Sequence, residues 1–187
     1  MIAIVSGLPR SGTSLMMQML HAGGAPVLSD NLREADANNP KGYLEFEKVK
    51  QLRTDKTWVP EAEAKVVKII SHLLQELPPG HEYRVVFMVR SPAEVVASQS
   101  SMLGRLGRTG ASIPPEKIQA VYTQHVADIR AWLDAQPNFQ VLYVNYTDVL
   151  AEPLREATRI KEFLGWPLDT AQMTAKVDPS LYRERKG

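Results

Sequence analysis

Ile2-Ala3-Ile4-Val5-Ser6 is a run without polar alternation, ended by Gly7 and Pro9, the pattern of a short strand buried on both faces of a parallel sheet. From Thr13 to His21, Leu15, Met16, Met19 and Leu20 fall at helical spacing, and Gly23-Gly24 stops the run. Residues 25–60 show no sustained period and are broken by Pro26, Pro40, Gly42 and Pro60; irregular stretches of that length more often serve a function than idle. Glu61 to Leu77 reads as a helix with Val66, Val67, Ile70, Leu73, Leu74 and Leu77 on one broad face, closed by Pro78-Pro79-Gly80. Val85 to Val89 reads as a second buried strand. A helix then begins with Ser91 as its cap and Pro92 in its first position, carrying Val95, Val96 and Met102. Gly104 to Pro115 is rich in Gly, Ser and Arg and reads as a mobile connection. Pro115 to Ala135 reads as a helix, Phe139 to Val144 as a third strand, and Glu152 to Leu164 as a helix closed by Gly165.

Apolar strands alternating with helices predict an α/β fold: a three-layer sandwich around a central parallel sheet. The 187 residues are 44% hydrophobic and 23% charged, enough for one core, and residues 1–187 are expected to form a single domain. A net charge of +1 speaks against a polybasic or acidic tail, and no nucleic-acid partner is expected. There is no cysteine, which excludes disulfide scaffolds, zinc ribbons and thiol nucleophiles. No apolar run reaches the ~18 residues of a membrane span, and the start lacks the basic n-region of a signal peptide. The expectation is a cytoplasmic protein with no membrane span; oligomeric state is left open.

The chemistry lies in Ile4-Val5-Ser6-Gly7-Leu8-Pro9-Arg10-Ser11-Gly12-Thr13-Ser14. A strand runs into a Gly-x-x-x-x-Gly loop and on into a helix whose first turn carries hydroxyls. Such a loop lets successive backbone N–H groups converge on an anion, and the helix N-terminus adds donors and partial positive charge. A Walker A loop would continue Gly-Lys-[Ser/Thr], but Gly12 is followed by Thr13 and the cation sits within the loop as Arg10. The second strand is followed by Arg90, where a Walker B strand would end on an Asp for Mg²⁺. Arginines after two parallel strands favour direct pairing with a polyanion over a metal bridge; the expected metal set is none.

At these residues the chain resembles the sulfotransferase family, which uses 3′-phosphoadenosine 5′-phosphosulfate (PAPS) and releases 3′-phosphoadenosine 5′-phosphate (PAP). Pro9-Arg10-Ser11-Gly12-Thr13-Ser14 resembles the family's 5′-phosphosulfate loop, and Arg90 with Ser98 its 3′-phosphate pair. Val141 to Asp148 and Ile160 to Gly165 resemble its late strand and helix. The resemblance implies a P-loop NTP-hydrolase-like fold, Arg10 as the catalytic cation, and an acceptor hydroxyl on a small molecule, carbohydrate or lipid. It also implies an acid soon after the first helix as base. Asp30 is the nearest counterpart, with Glu34, Asp36 and Glu45 as competitors; Asp30 also reads as a turn residue.

Other residues read more plainly. Lys41 and Tyr43 sit in a turn that either lines the acceptor pocket or packs on the core. His21, His72, His81 and His125 lack metal-ligand spacing, and Met16, Met17 and Met19 read as core. Arg105 and Arg108 fall in a stretch, 99–115, that reads as a solvated loop or a lid. Arg183, Arg185 and Lys186 read as a frayed basic terminus, although the last three residues resemble a late 3′-phosphate element. The competing functions are a P-loop nucleotide kinase or hydrolase, and a nucleotide-binding module without catalysis.

Overall fold

The structure, a computed structural model, describes residues 1–30, 43–105 and 113–178. Four strands form one parallel sheet in the order β2-β1-β3-β4: β1 Ile2–Gly7, β2 Val66–Lys68, β3 Tyr83–Val89 and β4 Phe139–Asn145. Ile4 lies opposite Val67 on one side and Val85 on the other, and Val85 opposite Val141. Around the sheet pack α1 Thr13–Ala22, α2 Pro92–Arg105, α3 Pro115–Asp134, α4 Tyr146–Ala151, α5 Pro153–Leu164 and α6 Thr170–Thr174. The expected α/β class with a central parallel sheet is what the chain adopts.

The unbroken apolar strands follow from burial on both faces. Successive strand side chains point to opposite sides, so β1 divides itself between two cores. Ala3 and Val5 join Met16, Met19 and Leu20 of α1 and Ile160 and Leu164 of α5. Ile2 and Ile4 join Leu52, Trp58 and Leu74 with Ile129 and Leu133 of α3. β3 divides in the same way, Val86 and Met88 on the first side and Tyr83, Val85 and Phe87 on the second.

Helix ends follow local chemistry. Pro92, Pro115 and Pro153 open α2, α3 and α5, where a missing N–H removes nothing from the ladder. The carbonyl of Ser91 accepts from Val95 N–H at 3.0 Å, the first bond of α2. Gly165 ends α5 in the left-handed region at φ 66°. From β3, Arg84 Nη1 donates to the carbonyls of Phe163 and Leu164 at 3.0 and 2.8 Å, placing a cation at the negative end of α5.

The helix expected over Glu61 to Leu77 does not form. That stretch holds a 3-10 turn at Val59–Ala62, strand β2, and a 3-10 segment at Ser71–Glu76. The apolar spacing fitted a helix, but Val66-Val67-Lys68-Ile69-Ile70 is rich in β-branched residues, which favour strands. Val66 packs on one core and Val67 on the other, a division that alternating strand side chains achieve. Two further corrections are smaller. Residues 99–105, placed in the mobile stretch, continue α2; 106–112, with Arg108, lie outside the described residues. The helical turns α4 and α6 were not anticipated.

Candidate active site

The strand order reverses between β1 and β3, and in open α/β sheets ligands lie outside the carboxyl ends at that switch point. All four strands supply residues there. β1 leads into the Pro9–Ser14 loop, β2 ends on Lys68, β3 is followed by Arg90, and β4 by Tyr146. With Tyr43 and Glu45 these residues line a cavity of about 340 Å³, which Leu15, Gln18, Ile70, Met102, Lys176 and Asp178 complete.

The loop's bend is set by two glycines. Gly7 has φ 142° and Gly12 φ 100°. A Cβ on Gly7 would lie 2.5 Å from Ser11 Oγ and 2.6 Å from the Met88 carbonyl oxygen; one on Gly12 would lie 2.5 Å from Tyr146 Cδ2. Arg10 takes φ 69° without being glycine, the kind of strained backbone that collects at functional sites. Gly12 precedes α1, so no side chain caps the helix and its first turn holds no acid. The positive end of α1 is therefore left for an anion rather than neutralised from within. Thr13 is buried at the cavity wall, and Ser11 Oγ is buried without a partner among the described residues.

Three cations converge on this cradle. Arg10 Nε donates to Ser98 Oγ at 3.2 Å. Arg90 Nη1 donates to the carbonyl of Arg10 at 3.1 Å, its Nε to Glu94 Oε2 at 3.0 Å, and its guanidinium lies 4.8 Å from the centre of the Tyr146 ring. Arg90 and Ser98, paired on sequence alone, are thus joined through Arg10. Lys68 Nζ donates to Ser14 Oγ at 2.9 Å and to Glu45 Oε1 at 2.8 Å, 5.7 Å from the centre of the Tyr43 ring. Burial raises the Tyr146 hydroxyl above its ordinary pKa, against the opposing pull of Arg90 and Arg10, so the phenol adds no negative charge near neutrality.

Of the four candidate acids, Asp30 and Glu45 lie among the described residues, and they sit apart. Glu45 lines the cavity. Asp30 Oδ2 accepts the Glu47 N–H at 2.6 Å and so holds the start of the 3-10 turn Glu47–Gln51; it is not among the cavity-lining residues. Glu34, Asp36 and Lys41 lie outside the described residues, as do Arg183, Arg185 and Lys186. Tyr43 packs at 4% exposure and also lines the cavity. His72 and His125 stack on each other with ring centres 3.7 Å apart, away from the cavity lining. Among the described residues, no group of three or more His, Asp or Glu could hold a metal ion, and no helix is long and apolar enough to cross a membrane.

A family profile described as "Sulfotransferase domain" matches residues 2–187. The chain belongs to the sulfotransferase domain family. A search of curated protein sequences finds no match. Among solved structures, a sulfotransferase from Alicyclobacillus acidocaldarius superposes over 98% of this chain and 96% of its own at 13% identity, TM-score 0.52. A mouse sulfotransferase complexed with PAP superposes over 99% of this chain and 66% of its own at 14% identity, TM-score 0.59. The sulfotransferase domain from the curacin biosynthetic pathway superposes over 95% and 77% at 14% identity, TM-score 0.55. Against the larger relatives, this sulfotransferase-family chain spans about two thirds to three quarters of their length.

Sequence reasoning missed Lys68, Tyr146 and Glu94. Lys68 was hidden by the helix expected around it; a lysine set within a β-branched run, Val66-Val67-Lys68-Ile69-Ile70, was the available signal. Tyr146 follows β4 by one residue, and its contacts with Gly12 and Arg90 exist only after the sheet assembles. Glu94 lies four residues after Arg90, a helical ion-pair spacing readable from the chain.

Proposed function

We propose that this chain transfers a sulfuryl group from PAPS to a hydroxyl of a small-molecule, carbohydrate or lipid acceptor. The observation that carries this reading is the convergence of Arg10, Lys68 and Arg90, from three strand ends, on an uncapped helix N-terminus. That donor set fits an adenosine carrying anionic groups at its 3′ and 5′ positions. The two flanking cores meet on one sheet, which supports reading the chain as one domain.

PAPS supplies the sulfuryl group: the bond between sulfur and the bridging oxygen breaks as the acceptor oxygen bonds to sulfur. Pro9 to Ser14 hold the 5′ end through backbone N–H groups and the hydroxyls of Thr13 and Ser14. Arg10 would stabilise the negative charge that grows on the donor side during transfer, so that catalysis is mainly positioning and electrostatic stabilisation. Arg90 would hold the 3′-phosphate together with Ser98, which is not among the cavity-lining residues and whose Oγ accepts from Arg10 Nε in this structure. Of the acids weighed, Glu45 is favoured over Asp30 as base, because it lines the cavity whereas the Asp30 carboxylate serves the backbone of Glu47. Lys68, which donates to both Glu45 and Ser14, would add positive charge beside the group being transferred. Leu15, Tyr43 and Ile70 give the acceptor an apolar wall.

The test is calorimetric titration with PAP, ATP and GTP, with and without Mg²⁺, followed by transfer assays with PAPS over an acceptor panel. Metal-independent binding of PAP with turnover supports the proposal. Mg²⁺-dependent binding of ATP alone overturns it in favour of a kinase or hydrolase, and PAP binding without turnover favours a non-catalytic module.

A further inference from the structure

Glu94 sits in the first turn of α2, and its side chain and that of Arg90 are 10% and 8% exposed. A carboxylate held so near a proposed phosphate site repels the ligand through a medium that screens poorly. Electrostatics alone would therefore make Glu94 a defect. Its geometry supplies a different role. Glu94 Oε2 takes Nε of Arg90 while the Arg10 carbonyl takes Nη1, and the Tyr146 ring lies against the guanidinium. Two bonds at different nitrogens and the Tyr146 ring against it restrain the orientation of the guanidinium. An arginine side chain left to itself loses much rotamer freedom when it binds; one already clamped has little left to lose.

We propose that Glu94 is a positioning residue for the donor nucleotide: it orients Arg90 so that the 3′-phosphate meets a preset guanidinium. Through the Arg10 carbonyl the same clamp ties the 3′ site to the strained residue of the 5′ loop, so Glu94, Arg90, Arg10 and Ser98 form one connected unit. The inference rests on the reading of Arg90 given under Proposed function.

Its test compares the affinities of PAP and of adenosine 5′-phosphate, which lacks the 3′-phosphate, for wild type, Glu94→Ala and Glu94→Gln. The ratio of the two affinities isolates the 3′ contribution. The expected result is a fall in that ratio of about tenfold in Glu94→Ala, the scale of one hydrogen bond to a charged group, and a smaller fall in Glu94→Gln, which keeps an acceptor oxygen. If Glu94→Ala fails to fold, as removal of one member of a buried pair can cause, Glu94→Gln alone gives the result. Tighter PAP binding, an unchanged ratio, or equal losses for both ligands overturns the positioning role while leaving the proposed donor in place. A wild type that does not bind PAP overturns both.

Discussion

Replacing Gly12 by alanine tests whether the loop is as rigid as its contacts imply. Two separate costs arise. The backbone at φ 100° lies where a Cβ meets its own chain, worth ~1–2 kcal/mol. The new methyl would also lie 2.5 Å from Tyr146 Cδ2 and 3.0 Å from Cε2. Tyr146 is 8% exposed and faced by Arg90, so the ring cannot simply swing aside, and overpacking of this kind costs ~1–3 kcal/mol. The sum is roughly 2–5 kcal/mol, or a fall in Tm of about 4–20 °C for a chain of this size. Gly24→Ala is the control: φ is +91° there too, but nothing lies within 4 Å of the added Cβ, so it carries the first cost alone. Thermal unfolding of both variants separates strain from contact. Displacement of Tyr146 should also disturb Arg90, so titration of Gly12→Ala with PAP should show weaker binding than Gly24→Ala. Equal Tm losses in the two variants, or undiminished PAP affinity in Gly12→Ala, would refute the claim that the loop, Tyr146 and Arg90 are packed as one piece.

Glu45→Gln should lower kcat by ~10²–10⁴-fold, the usual share of a general base, with PAP affinity changed far less; Asp30→Asn should instead lower Tm with smaller loss of turnover, and the reverse pattern would return the base to Asp30. Arg84→Ala removes the cation from the end of α5 and should destabilise by ~1–3 kcal/mol, read as a shift in urea midpoint with unchanged nucleotide binding. The stacked imidazoles give a pH dependence. Burial, with Arg53 beside it, pushes His72 below its ordinary value of 6.5. Burial and then His72 push His125 the same way, against a weaker upward pull from Asp128. Both are groups whose neutral form the fold favours, so their contribution is complete above pH 6.5 and declines as pH falls below it. Urea midpoints at pH 7.5 and 5.5 should differ, and His72→Gln should shrink the difference; an unchanged difference would place its origin elsewhere.

Periodicity sufficed wherever a segment's own pattern decided its state. β1, α1, β3, the start of α2, α3, β4 and α5 could be read because each carries its burial pattern and stop signals within itself, such as Pro92 opening α2 and Gly165 closing α5. β2 could not. Its residues fit a helix on spacing, and the sheet prevailed because pairing beside β1 buries Val66 and Val67 on opposite cores at once. The site divides along the same line. The loop and Arg90 were readable because adjacency to a strand's carboxyl end is a property of the sequence. That Glu45 rather than Asp30 lines the cavity was not, because both lie in an irregular stretch where chain distance says nothing about which carboxylate reaches it.

The sequence by itself determined the alternation of strands and helices outside β2, the glycine-bent loop and its cation, and the arginine after the strand Val85 to Val89. Those features depend on neighbours a few residues away. Tertiary structure alone decided that Lys68 reaches Ser14 and Glu45, that Tyr146 closes over Gly12, and that Arg90 is held by the backbone of Arg10. Three of those contacts span more than fifty residues of chain, and no local pattern records a distance that only the packed sheet brings down to a few ångströms.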